Sequence, residues 1–319
     1  MGAPVLLPDT NVWVYLVDAV AVESVRKEAQ RLGVTIAACP AVVYECLRAR
    51  LDPVAKKKRI DALTRGSWKR LMPEAYKESM EARLAISRVR PEWIEPAPDL
   101  RQWMHTKADW EHGWWTRARR DTQAEAERIR RMDGSDLEVT RSAAAARRQS
   151  ARDARLTFDN IDFDVAAVPA SPPAWWDGYP VELWRVEFAT VLRHALGQAN
   201  SPFRDWLAPW ITLALIDEID WFRLWTREVT TEEMPLAWLR WAFEHVQATR
   251  TTTNGTPVDN QIATYLPECD AFATSDKAFA ECVEKVRPHS PVPLGRGCKV
   301  PANEGAADAV IDLIRELSA

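Results

Sequence analysis

Patterns for disulfides and zinc are missing from this sequence. Its five cysteines, Cys39, Cys46, Cys269, Cys282 and Cys298, are odd in number and include no C-x-x-C pair. That argues against a disulfide framework or a zinc site, and for reduced thiols in a cytoplasm. Histidine is scarce too. His105, His112, His194, His245 and His289 contain no close metal-binding pair. His105 and His112 fit one face of a helix, most simply as a polar surface. A basic surplus is also lacking, since the formal net charge is -4. A broad nucleic-acid-coating surface is therefore not expected, although a local basic patch beside an acidic site stays open. No apolar run is long enough to span a bilayer. The most apolar stretch, Leu207 to Ile216, is short, lies between Asp205 and Asp217, and reads as a core helix. The opening residues MGAPVLLPDTNVWVYLVDA carry no basic n-region and run into Asp9 and Asn11, unlike a signal peptide. No internal repeat is evident.

What is present is an ordinary globular composition. The 319 residues are 47% hydrophobic and 28% charged, enough for two domains or for one core with a large insertion. Val5-Leu6-Leu7 is a short buried strand that stops at Pro8-Asp9-Thr10-Asn11. A helix begins near Val12, with Thr10 or Asn11 as its cap. Val22 to Leu32 forms a polar helix ended by Gly33. Val34 to Cys39 is a second strand closed by Pro40, and Ala41 to Ala49 a helix carrying Glu45. This alternation predicts a parallel α/β sheet.

From about residue 66 the texture changes. Fifteen of the sixteen tryptophans lie between Trp68 and Trp241, mixed with charged residues at helical spacing. The α/β texture returns after the turn signal Thr253-Asn254-Gly255. Val258 to Tyr265 reads as a helix opening with Asp259. Ala271 to Thr274 is a strand delivering Ser275 and Asp276, and Lys277 to Val286 the helix after it. Val292 to Leu294 reads as a last strand and Ala306 to Leu317 as a terminal helix. The expected organisation is a discontinuous core, residues 1–65 and 250–319, interrupted by a Trp-rich all-α insertion, residues 66–249.

Four acids stand where a parallel sheet gathers side chains. Asp9 follows the first strand, Glu45 lies on the helix after the second, Asp259 opens a helix and Asp276 follows a later strand. Ligand sites of open α/β sheets lie outside the carboxyl ends of the strands. Clustered carboxylates repel, so holding them ionised together calls for a cation. Hard oxygen donors favour Mg2+ or Mn2+, which activate water in phosphodiester cleavage. Three of the acids also have a plain reading: Asp9 and Asp259 as helix caps, Glu45 as a solvated charge. An aspartate after the first strand also occurs in aspartyl-phosphate phosphatases, but those need a second aspartate two residues on, where this chain has Asn11.

Four segments resemble the PIN-domain family. Leu6-Leu7-Pro8-Asp9-Thr10-Asn11 is similar to its opening strand into D-T/S-N. Pro40-Ala41-Val42-Val43-Tyr44-Glu45 resembles its second motif, and Asp259-Asn260-Gln261-Ile262-Ala263 its third. Cys269 to Phe279 resembles its fourth, a strand into T-x-D-x-x-F. All four occur in the family's order. The resemblance implies a Rossmann-like sheet and a Mg2+- or Mn2+-dependent ribonuclease, with Asp9, Glu45, Asp259 and Asp276 as metal-binding catalytic acids. It implies that Asn11 orients a carboxylate or water, and that Thr274 and Ser275 support the metal shell or touch phosphate. Asp270 precedes the strand and either reaches the site or sits at its base. Many members of the family are toxins held by an antitoxin, others process RNA, and many are homodimers. Relatives of the fold also cut DNA, and a degenerate scaffold that binds RNA or a regulatory protein is the non-enzymatic alternative. The insertion has no counterpart in the small family members.

Other features have competing readings. Trp114-Trp115 and Trp175-Trp176 are the pairs expected to include an exposed, base-stacking member, whereas most tryptophans read as core. Arg117, Arg119, Arg120, Arg128, Arg130 and Arg131 are able to track a phosphate backbone, but interleaved Asp121, Glu125 and Glu127 favour helix-face ion pairs. Lys56-Lys57-Lys58-Arg59, close to the site helix, is the better candidate for contact with an RNA or single-stranded DNA substrate.

Overall fold

The structure is a computed structural model. It describes residues 2–168, 173–250 and 256–319, with side chains outside 132–141 and 256–258. The Thr253-Asn254-Gly255 turn lies outside the described residues.

Five parallel strands form one sheet. They are β1 (Val5–Pro8), β2 (Thr35–Ala38), β3 (Lys69–Arg70), β6 (Ala271–Thr274) and β7 (Arg296–Lys299), in the order β3-β2-β1-β6-β7. The remaining pair, β4 (Ala166–Ala167) and β5 (Val181–Glu182), is antiparallel and stands apart. The middle region is thus helical with one small ribbon rather than purely helical.

The first and last parts of the chain meet in β1 and β6. Leu6 pairs with Ala271, Leu7 with Phe272 and Pro8 with Ala273. These strands sit centrally and are covered on both faces, which is why they read as unbroken apolar runs. Leu6, Leu7 and Phe272 are fully buried. On the other side β1 pairs with β2, Leu6 opposite Ile36.

The connections are helical. Between β1 and β2 run α1 (Thr10–Asp18) and α2 (Val22–Leu32); between β2 and β3 run α3 (Pro40–Arg48) and α4 (Pro53–Leu63). Gly33 ends α2 with a φ of 69°, a left-handed conformation that glycine adopts without steric cost. The helix Lys277–Val286 links β6 to β7, and the terminal helix Ala306–Ser318 returns to pack on α2.

Two expectations change at the sheet edges. The strand β3 lies beyond residue 65, inside the stretch set apart as insertion, so the sheet borrows its edge from there. The last strand is Arg296–Lys299, not Val292 to Leu294. It is an edge strand, only partly buried, and carries no apolar run to announce it.

Core and insertion share one buried cluster, joining Leu6 and Phe272 of the sheet to Trp114, Trp225 and Trp238 of the middle. The helix Pro235–Ala248 is the joint. It packs against α5 (Glu74–Val89), the helix Leu183–Gly197, the helix Thr256–Ala263 and the helix Lys277–Val286. Trp114 and Trp115 are both buried, so neither offers a face to a base. Trp114 Nε1 donates to Glu125 at 3.0 Å and Trp115 Nε1 to the Trp110 carbonyl at 2.8 Å. In the arginine-rich stretch Arg128 pairs with Glu125 along the helix and Arg117 with Asp109, while Arg130 and Arg131 donate to the Ala126 and Glu127 carbonyls.

Candidate active site

Asp9 sits at the carboxyl end of β1, where its amide donates to the Ala273 carbonyl at 2.8 Å. Its own side chain, not Thr10 or Asn11, caps α1. Oδ1 accepts from the Thr10 amide at 2.6 Å, satisfying a donor that the helix leaves open. Oδ2 accepts from the Thr274 hydroxyl at 2.7 Å. The same hydroxyl oxygen accepts from the Asp276 amide at 3.0 Å. Thr274 therefore ties the ends of β1 and β6 through one buried side chain.

Asp276 caps the helix Lys277–Val286, with Oδ1 accepting from the Ala278 amide at 2.7 Å and the Phe279 amide at 3.1 Å. Asn11 Oδ1 accepts from the Ser275 amide at 3.1 Å. Asn11 Oδ1 thus holds the β6 turn, and Ser275 enters through its backbone. Glu45 projects from α3 within the same neighbourhood, beside Thr10. Asp259 lies inside the helix Thr256–Ala263, already helical two residues before the expected start at Val258, so it is not an N-cap.

The electrostatics link the four acids. Burial pushes the Asp9 carboxyl up to about 7; the Thr274 hydrogen bond opposes this, and the negative charge of Glu45 adds to it. Burial raises Glu45, against the Thr10 side chain and the Arg48 cation. Asp259 is pushed up to about 8, first by burial and then by the charges of Asp9, Glu45 and Asp276. Among the described residues none of the four forms an ion pair with Lys or Arg. Beyond the Arg48 cation near Glu45, their repulsion is relieved by protons or by an added cation.

The donor chemistry suits a hard divalent ion: carboxylate oxygens alone, with no thiolate or imidazole. The Asp9 and Asp276 side chains are placed as helix caps. Among the described residues, no three His, Cys, Asp or Glu side chains stand close enough to hold an ion as placed. Both Asp9 oxygens and Asp276 Oδ1 are engaged by protein donors, so a shared ion requires some of these carboxylates to turn from their caps.

Two expected groups lie elsewhere. Asp270 is at the entry end of β6, with its Oδ2 accepting from the Val5 amide at 2.7 Å and its own amide donating to the Val5 carbonyl at 2.8 Å. It staples the base of the sheet, a strand length of roughly 13 Å from the acids. Lys56 is buried at 3% exposure, and its Nζ donates to the Leu47 carbonyl at 2.8 Å. That satisfies an open carbonyl at the end of α3 and removes Lys56 from any phosphate. Lys57 pairs with Asp61, and Arg59 lies 3.5 Å from Asp18. Lys58 is the exposed member of that run.

Thr10 is the site residue given too small a part by the sequence. Its amide holds Asp9 and its side chain faces Glu45. The signal was the middle position of Asp9-Thr10-Asn11.

Compared with protein-family models, with curated proteins and with solved structures, the chain matches none of them.

Proposed function

We propose that the chain is a divalent-metal-dependent nuclease of the PIN type, hydrolysing single-stranded RNA internally. One observation carries this reading. Asp259, from the last part of the sequence, is raised first by burial and then by the nearby negative charges of Asp9, Glu45 and Asp276, while no arginine or lysine pairs with any of the four among the described residues. A purely structural set of acids would be expected to have cationic partners, because unpaired buried carboxylates destabilise a fold.

In this reading Asp9, Glu45, Asp259 and Asp276 hold Mg2+ or Mn2+. The bound ion supplies charge neutralisation and a water acidified for attack on phosphorus. The chain does the rest. The Thr10 amide and the Thr274 hydroxyl fix both oxygens of Asp9. Asn11 fixes the turn that presents Asp276. The raised carboxyls of Asp9 and Asp259 shed their protons as the ion binds, which makes activity rise with pH.

Parallel cleavage of a single-stranded RNA and a single-stranded DNA, with Mn2+ or with chelator, tests the proposal. RNA cleavage that needs Mn2+ and disappears in Asp9→Asn is expected. Cleavage of DNA alone would shift the substrate class. Absence of metal-dependent cleavage on either would leave a binding scaffold.

A further inference from the structure

The chain holds 42 lysines and arginines against 46 aspartates and glutamates, yet residues 48–70 and 114–131 hold fifteen against five. Eleven of those fifteen cations are arginines. The fold brings the two segments together. α4 packs on the helix Trp114–Arg120 and on the helix Thr122–Asp153, and α3 packs on α4 and on the helix Thr122–Asp153. The cationic excess of the sequence is therefore gathered on packed neighbours.

Ion pairs do not use up this surplus. Lys57, Arg59, Arg117 and Arg128 have carboxylate partners. Lys58, Lys69, Arg119, Arg120, Arg130 and Arg131 have none among the described residues, and all but Arg119 are exposed. Arg130 and Arg131 bond one carbonyl each, through Nε, which leaves their terminal nitrogens open. Cations here also meet cations. Burial loosens the Arg70 proton, and the Arg119 charge adds to that. Burial likewise loosens the Lys56 proton, and the Arg130 charge adds to that. Like charges held close without carboxylates cost stability, and a bound polyanion relieves the cost. Guanidinium forks match phosphate oxygens two at a time.

The basic face borders the acids. β3 ends at Arg70, opposite Ala38 at the end of β2, and β2 pairs in turn with β1. Arg70 thus stands on the carboxyl edge of the sheet, two strand spacings or about 10 Å from Asp9. α3, which carries Glu45, lies against both halves of the face.

We infer that this face, built from α4, the end of β3 and residues 114–131, binds the phosphate backbone of a single-stranded nucleic acid and leads it to the four acids. The early part of the helical middle then serves to hold substrate. Lys56, buried against the Leu47 carbonyl, makes no contact with the strand. Binding as such does not depend on the chain being a nuclease; the single strand and its delivery to the acids rest on that reading.

Fluorescence anisotropy of the full chain tests this, with labelled single-stranded RNA and DNA of about 12 nucleotides, in chelator so that no strand is cut. Saturable binding by the wild type that weakens steeply with salt is expected. Arg119→Ala combined with Arg130→Ala should weaken binding about tenfold and lower the salt slope by roughly 1 to 1.5. Should that variant not fold, Arg130→Glu, on an exposed side chain, replaces it, with a loss of similar size. Arg315→Ala, on the terminal helix, should bind as the wild type does. Absence of binding to either strand would overturn the inference, and so would equal binding by the face variants. Binding of phosphatidylserine vesicles without binding of either strand would overturn it as well. Strand binding lost in the face variants, together with no Mn2+-dependent cleavage by the wild type, would uphold the face and remove the nuclease reading alone.

Discussion

The Thr274 hydroxyl donates to Asp9 Oδ2 at 2.7 Å across a sequence separation of 265 residues. One buried contact thus joins the two parts of the chain that flank the long helical middle. Thr274→Val keeps the shape and removes the hydroxyl. It leaves an Asp9 oxygen and the Asp276 amide without their partner. A loss of about 1–2 kcal/mol in chemical denaturation is expected. The hydrogen bond also restrains the upward shift of Asp9. Its removal should therefore move the pH midpoint of metal binding upward.

Asp9→Asn should stabilise the metal-free protein in alkali. Asp9 and Asp259 titrate at about 7 and about 8 in the folded chain, both above the ordinary carboxylate value of 3.8. The folded chain therefore holds more protons than the unfolded one across that window. Raising the pH through it removes stability, and below the ordinary value there is no difference. A melting temperature about 2–4 °C above wild type is expected for Asp9→Asn at about pH 8.5, with a smaller gap at about pH 5. Adding Mg2+ at the higher pH should close the gap by stabilising the wild type, and chelator should reopen it. Differential scanning fluorimetry across pH reads both effects.

Arg240→Ala should be severe, because it strands Glu78 at 2% exposure. Burial already raises the Glu78 carboxyl, with Arg240 the main opposing influence. A cost of roughly 3 kcal/mol is expected near neutral pH, the lower end for a broken buried pair, because Arg240 is itself partly exposed. The cost should shrink in acid, where Glu78 takes a proton. Replacing both residues by methionine should recover most of the loss. Urea denaturation at two pH values measures it.

Lys56→Met should change stability without changing substrate affinity. The lost hydrogen bond to Leu47 at the end of α3 is worth about 1–2 kcal/mol. KM for RNA should stay at the wild-type value, whereas a phosphate-contacting lysine would raise it.

The legible parts of the fold were those with local punctuation. The strand Ala271–Thr274 and the helix Lys277–Val286 follow from an apolar run broken by Ser275 and Asp276. The helix Val22–Leu32 follows from its spacing and Gly33. β7 was hidden because a short edge strand containing Gly297 has little burial to pattern it. A Cβ at Gly297 would come within 3.2 Å of the Ala280 carbonyl, so close helix packing, not strand propensity, accounts for that residue.

The site was legible as a set of acids and less so as a set of contacts. Asp9 and Asp276 both cap helices through the oxygens expected to face an ion. That double duty depends on backbone geometry that residue types do not reveal. Asp270 stayed open between the site and its base because sequence proximity to Asp276 conceals the strand length that separates its end of β6 from the acids. Lys56 was misleading because a charge run says nothing about which lysine turns inward toward a helix end.

Mn2+ binding followed by electron paramagnetic resonance tests most directly whether the four acids act as one site. Wild type, Asp9→Asn and Asp259→Asn, each verified as folded, are titrated at about pH 8, where the carboxyls have begun to ionise. Saturable binding by the wild type and loss of at least about tenfold in affinity in both variants is the expected result. Mn2+ binding of equal affinity in all three would contradict a shared site.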